Sequence, residues 1–203
     1  MFANTSPKPA PETLRTALLE RFREVARDPS GHFDYPTGEA GLRGLDYPQE
    51  LWGWLPAETL RCYCGVGNPF LSGLPAQGDR VLDLGSGAGV DSLIAARLAA
   101  PGQVDGLELS PEMVQRAREN AALAGVANVR FRTVEGEGLP YGDGTFDLVI
   151  SNGVINLIAD KPAVLAEVFR VLKPGGRLQV ADQVLTGVPP QSCPLDGGKS
   201  WAR

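Results

Sequence analysis

Residues 81–91, VLDLGSGAGVD, decide how the rest of the chain must be arranged. Val81, Leu82 and Leu84 make a short apolar run of the kind a buried parallel strand requires. The run stops at Gly85-Ser86-Gly87-Ala88-Gly89, and Leu93, Ala96, Leu98 and Ala99 then supply the apolar members of a helix. Strand, glycine turn and helix in that order form a ligand cradle. Glycines admit positive φ and let a ligand approach the main chain, and the new helix offers free N–H groups at its N-terminus. Asp83 sits at the end of the apolar strand, where a carboxylate is costly unless something satisfies it. An ordinary strand-to-helix turn would leave that acid unexplained, so the stretch reads as a ligand site.

Working outward, strand and helix keep alternating. Gln103–Leu109 (QVDGLEL) reads as a second strand, with Glu108 at its carboxyl end. That is about twenty residues past the glycines, where nucleotide-binding α/β folds place an acid for ribose hydroxyls. Ser110 is a good N-cap, Pro111 suits the first helical position and Glu112 the first turn. The helix carries Met113, Val114, Ala117 and Ala121 and ends at Gly125. Val129–Val134 is a third strand, followed by Glu135-Gly136-Glu137-Gly138-Leu139-Pro140. Phe146–Ser151 is a fourth, ending at Asn152-Gly153. Lys161–Leu172 is an amphipathic helix stopped by Lys173-Pro174-Gly175-Gly176, and Leu178–Val184 is a fifth strand. The alternation implies an α/β fold with a mostly parallel sheet and right-handed crossovers. Ligands bind at the carboxyl ends of such strands, and Asp83, the glycines, Glu108, Glu135 and Asn152 all fall there.

The N-terminal third is less regular. Met1–Ala10 is rich in proline and polar residues and is expected to be disordered. Leu14, Leu18, Phe22 and Val25 recur at helical spacing, giving a helix that either packs on the main domain or covers a substrate. Asp28–Pro56 has no clear period but holds Phe33, Tyr35, Tyr47, Trp52 and Trp54, which suits a lid over a pocket or an aromatic-anchored surface loop. Pro56–Arg61 suits a short helix. Cys62 and Cys64 follow beside glycines, either converging on a soft electrophile or metalloid or acting as unrelated thiols. The expected organisation is a disordered segment 1–10, a covering region 11–70, a binding core 71–185 and a Pro/Gly-rich tail 186–203.

The 203 residues suffice for one domain with a core. A net charge of -5 and the absence of any basic run argue against a nucleic-acid partner. No run is long enough for a membrane span, and MFANTSPKPAPE lacks the pattern of a signal peptide. The expectation is a cytoplasmic protein whose three cysteines are free thiols.

A dinucleotide fingerprint wants a third glycine where this chain has Val90, and Asp83 favours a ligand with a positive charge over a pyrophosphate. VLDLGSGAG, Glu108, LPYGDGTFDLVISN and VLKPGG together resemble the class I S-adenosylmethionine-dependent methyltransferases over roughly residues 79–182. The GNP of Gly67–Pro69, SPEMVQRAREN at 110–120 and ISNGVINLIADKPAVLAEVFRVLKPGGRL at 150–178 are most similar to the arsenite methyltransferases.

The resemblance implies a Rossmann-like three-layer sandwich and S-adenosylmethionine as cofactor. It implies that Asp83, Gly85, Ser86, Gly87 and Gly89 hold the methionine part. Glu108 takes the ribose hydroxyls, Leu109 and Met113 lie at the adenosine side, and Glu135 and Gly136 meet the adenine edge. Asn152 and Gly153 line the space near the methyl, and Cys62 and Cys64 are candidates for the substrate side. Two family cysteine positions are Val66 and Gly153 here, and Cys193 lies in the region of a third.

The expected activity is methyl transfer to a small molecule, arsenite methyltransferase-like. The alternative is a non-catalytic protein that binds S-adenosylmethionine or S-adenosylhomocysteine, or a thiol-based metalloid binder. The resemblance also implies strands past the fifth, whereas this chain ends at Trp201-Ala202-Arg203. The sheet is therefore expected to be truncated after the fifth strand, leaving an edge for an oligomer or partner to cover.

Overall fold

The computed structural model describes residues 11–135 and 138–184. Gly136, Cys193, residues 1–10 and the tail 186–203 lie outside them. A five-stranded sheet, all parallel, forms the middle layer in the order β3-β2-β1-β4-β5. Its strands are β1 (Arg80–Leu84), β2 (Gln103–Glu108), β3 (Val129–Thr133), β4 (Phe146–Asn152) and β5 (Leu172–Ala181). The helices are α1 (Pro11–Arg27), α2 (Gly38–Gly44), α3 (Gln49–Trp52), α4 (Ala57–Arg61), α5 (Val90–Ala99), α6 (Pro111–Leu123) and α7 (Lys161–Val171).

The connectivity runs outward from β1 to β2 and β3, then returns to the other side of β1 for β4 and β5. The sheet therefore has its switch point between β1 and β4, where Leu84 pairs with Ser151. At such a point the loops part and leave a crevice.

Each face of the sheet has its own core. On one, Val81, Val104, Leu148 and Ile150 pack under Leu93, Ile94 and Ala96 of α5 and Val114 and Ala117 of α6. Tyr47, Trp52, Leu42, Leu60 and Phe70 extend the same cluster. On the other, Leu82, Leu84, Leu107 and Val149 pack against Val164, Val168 and Val171 of α7. α5 is apolar around its circumference, as a helix buried between sheet and neighbours must be.

Two expectations need correction. The segment 28–56 is not wholly irregular, because α2 and α3 lie within it. Helices of 7 and 4 residues span too few turns to show a period, and their order comes from tertiary contacts such as Gly38 N–H donating to the Tyr63 carbonyl at 2.7 Å. The fifth strand covers Leu172–Ala181, not Leu178–Val184, and begins directly where α7 ends. Lys173-Pro174-Gly175-Gly176 is absorbed as a bulge. Phe146 pairs with Leu172 and Leu148 with Arg177, so five residues of β5 pass two of β4. Gly175 takes φ +79°, a conformation that glycine adopts without strain.

α1 lies across α6, held by Arg23 to Glu112 at 2.8 Å and by Arg116 donating to the Ala26 carbonyl. Among the described residues no strand pairs with the outer edge of β5, whose Leu178 and Val180 are exposed, and Phe169 of α7 is exposed as well. No helix of the described residues is long and apolar enough to cross a membrane.

Leu148 has no exposed surface, whereas Phe169 is 82% exposed. Leu148→Ala is expected to cost about 2–5 kcal/mol in urea unfolding, and Phe169→Ala to stay within about 0.5 kcal/mol.

Candidate active site

The crevice at the switch point is a cavity of about 360 Å3. Its floor is the carboxyl ends of β1, β2 and β4, one side is α1, and the rest is closed by residues 33–35, 62–66 and 153–159. Asp83, Gly85, Ser86, Gly87, Glu108, Leu109, Asn152, Gly153, Cys62 and Cys64 all line it. Gly89, Met113 and Glu135 do not.

The turn after β1 follows from its glycines. Gly85, Gly87 and Gly89 have φ of +76°, +52° and +90°. A Cβ on Gly85 would run into the Val154 side chain, and one on Gly89 would stand 2.8 Å from Phe131 Cζ. Gly89 caps α5, and Met113 lies buried behind the turn with Val25, Ala26 and Ala88. Both therefore shape the cradle from outside. The Ser86 hydroxyl oxygen is buried without a protein partner.

Glu108 ends β2 with one carboxylate oxygen accepting from Ser110 N–H at 2.9 Å and the other from Gly87 N–H at 3.0 Å. These bonds tie β2 to the glycine turn and to the cap of α6, whose Ser110 hydroxyl in turn accepts from Met113 N–H. Lone pairs remain on both oxygens. Glu135, by contrast, has its side chain 80% exposed and stands 3.9 Å from Arg15.

Asp83 is 2% exposed and accepts a short hydrogen bond from the Ser92 hydroxyl. Asp91, in the first turn of α5, is 8% exposed. Its two oxygens accept from Tyr47 O–H at 2.8 Å and from the Asn152 amide at 2.9 Å. Burial pushes Asp83 up to about 8, with the Asp91 carboxylate adding to the shift, and pushes Asp91 up to about 6. Burial also raises Glu108. Three carboxylates on one cavity lack the water that would stabilise their charge, and a cationic ligand would restore that stabilisation.

The thiols are shielded. Burial, with the Glu108 carboxylate adding, pushes Cys64 up to about 12. Burial also raises Cys62, whose thiol donates to the Glu58 carbonyl at 3.4 Å and packs beside Ala88 and Met113. No cluster of three His, Cys, Asp or Glu among the described residues could hold a metal ion.

The sequence pattern assigned no role to Tyr63 or Asp91, although Asp91 ends the stretch 81–91, and it placed Tyr47 only among the aromatics of a lid or an anchored surface loop. Tyr47 belongs to the aperiodic stretch 28–56 and Tyr63 follows α4, and only the folded chain brings their hydroxyls to Asp91 and Asn152. Phe33 and Tyr35 line the cavity, while Tyr47 and Trp52 are core. The aromatic segment thus has one part at the pocket and another part as anchor.

A family model described as a methyltransferase domain matches residues 75–195. Arsenite methyltransferase from Halobacterium salinarum is 44% identical over 133 residues, covering 65% of this chain and 34% of that protein. Ubiquinone/menaquinone biosynthesis C-methyltransferase UbiE from Pasteurella multocida is 39% identical over 108 residues, covering 52% and 40%. The crystal structure of an arsenic (III) S-adenosylmethionine methyltransferase from Chlamydomonas reinhardtii aligns at a TM-score of 0.54 with 37% identity, covering 73% of this chain and 50% of that one. The chain thus matches about a third to two fifths of the length of these curated relatives.

Because Asp83 and Asp91 bind protons more tightly folded than unfolded, their contribution to stability is complete below about pH 4 and is lost as pH rises through about 6 and 8. Unfolding free energy of the ligand-free protein should fall across pH 5 to 8, with a slope approaching about 1.4 kcal/mol per pH unit for each proton. Asp83→Asn should flatten the pH 6 to 8 limb. Denaturant titrations at fixed pH check this.

Proposed function

Because this chain belongs to the methyltransferase-domain family, we propose that it binds S-adenosylmethionine in the switch-point cavity and transfers the methyl group to a small-molecule acceptor. The observation that carries this reading is the convergence of Asp83, Asp91 and Glu108, all buried, on one glycine cradle. The residues fit the cofactor. Asp83 would accept from its ammonium, with Asp91 strengthening the negative field. Glu108 would accept from the ribose hydroxyls through the lone pairs that Ser110 and Gly87 leave open. The Ser86 hydroxyl offers a further bond, and Leu109 a surface for adenine.

Bound S-adenosylmethionine supplies a methyl on a sulfonium, a leaving group that needs no protonation. The chain's own task is to orient the acceptor and exclude water. Tyr35, Cys64 and Val66 line the wall facing Asn152 and Gly153. Tyr35 donates to the Cys64 carbonyl at 3.0 Å, and burial holds its hydroxyl well above the usual phenol range. None of these groups takes up a proton near neutral pH. The wall therefore suits an acceptor whose nucleophilic atom carries its own lone pair, the chemistry of an arsenite methyltransferase-like enzyme. Trivalent arsenic would rest on Cys64, because the Cys62 thiol is turned toward Glu58, Ala88 and Met113.

Calorimetry should show saturable S-adenosylmethionine binding, tighter at pH 8 than at pH 6 as Asp83 ionises. Glu108→Ala should weaken it by about 10- to 100-fold, the loss of one or two hydrogen bonds to a charged group. Labelled methyl should appear in one member of an acceptor panel that includes arsenite with glutathione. Saturable binding with no product from any acceptor would instead identify a cofactor-binding protein without catalysis.

A further inference from the structure

We infer that Asn152 is a positioning residue, a clamp that pins residues 65–67 to the carboxyl end of β4 and so fixes the cavity wall bearing Cys64 and Val66. The Asn152 carbonyl oxygen accepts from Val66 N–H at 2.9 Å and Gly67 N–H at 3.1 Å. Its amide nitrogen donates to the Gly67 carbonyl at 2.8 Å and to Asp91 at 2.9 Å. An asparagine side chain has two donors and two acceptor sites; the two backbone N–H groups fill its acceptor sites, and its donors are engaged by the Gly67 carbonyl and Asp91, with the Tyr47 and Tyr63 hydroxyls also in reach at 3.2 and 3.3 Å. A flipped amide would aim N–H at two N–H groups, which sets the orientation. Asn152 therefore reaches the cavity surface with no hydrogen-bonding capacity left for a ligand.

The clamp joins four distant parts of the chain. Asp91 accepts from Tyr47 O–H as well as from Asn152. Tyr63 O–H donates to the Gly67 carbonyl at 3.0 Å, and its ring stands edge-on to Tyr47 at 5.6 Å. The pinned backbone is wedged as well as bonded. A Cβ on Gly65 would collide with the Asn152 amide and the Tyr63 ring, and one on Gly67 would stand 2.7 Å from Ala181 Cβ. On the cavity side, a Cβ on Gly153 would meet Val66 at 3.1 Å. A strand end thus holds a loop in place through one side chain, and the loop presents Cys64 and Val66.

The catalytic meaning of the clamp rests on the cavity being the transfer site, but its test does not. In a Cys62→Ser/Cys193→Ser background Cys64 is the sole thiol, and its labelling by N-ethylmaleimide reports whether the wall is held. Asn152→Ala should raise the labelling rate at least tenfold while S-adenosylmethionine affinity falls by less than threefold. Glu108→Ala should do the reverse, losing cofactor with Cys64 still shielded. Asn152→Asp should label like the alanine variant at pH 8, where a second carboxylate opposes Asp91. At pH 5 its rate relative to the parent should return toward one, because the protonated acid regains a donor. Tyr47→Phe, which removes one bond to Asp91 and keeps the ring, should give an intermediate rate, and it serves as the readout if Asn152→Ala does not melt cooperatively. Labelling at the parent rate in these variants overturns the clamp. So does Asn152→Ala losing the cofactor as Glu108→Ala does with the thiol still shielded, since Asn152 would then be a cofactor contact. Failure of all variants and the parent to bind S-adenosylmethionine would sink the proposed function and leave the labelling result standing.

Discussion

Three carboxylates kept out of water, Asp83, Asp91 and Glu108, are the constraint to which the rest of the structure answers. Each lies within the first turn of a helix or at the end of a central strand. Burial there disfavours their charge, and each is provided with donors that offset part of the cost. Ser92 serves Asp83, Tyr47 and Asn152 serve Asp91, and the backbone of Gly87 and Ser110 serves Glu108. The partners come from α5, β4, the α2–α3 link, the glycine turn and the cap of α6, so satisfying three acids organises most of the molecule. That shared burial is the feature on which the proposed cofactor site rests.

The N-terminal segment belongs to the same scheme. Tyr47 and Trp52 are buried in the core on one sheet face, while Leu18, Phe22, Phe33 and Tyr35 close the cavity. The segment both anchors itself and completes the pocket wall, through side chains pointing in different directions from short helices. Asn152 links the two roles, since its bonds run at once to the segment 65–67 and to Asp91.

Much of the fold and the floor of the site can be read from local pattern. Strand β1 and its glycine turn are contiguous, and the cap Ser110-Pro111-Glu112 announces α6 within three residues. Glu108 is legible because it terminates an apolar run. Other features escaped because their signals are not local. Lys173-Pro174-Gly175-Gly176 looks like a helix stop, yet pairing with β4 draws it into β5 as a bulge. Cys62 and Cys64 are two residues apart in sequence, but the helical turn ending α4 sends their side chains to different neighbours.

By itself the sequence determined the order of strands and helices from β1 onward, the parallel sheet, the positive-φ turn and the acids at the strand ends, because each depends on residues close together in the chain. The tertiary structure alone decided which of those acids share a cavity and how Tyr47, Tyr63, Asp91 and Asn152 become one network. Those outcomes depend on hydrogen-bond geometry between residues 16 to 105 positions apart. No local pattern encodes such distances, because they exist only after the sheet has set the strands side by side.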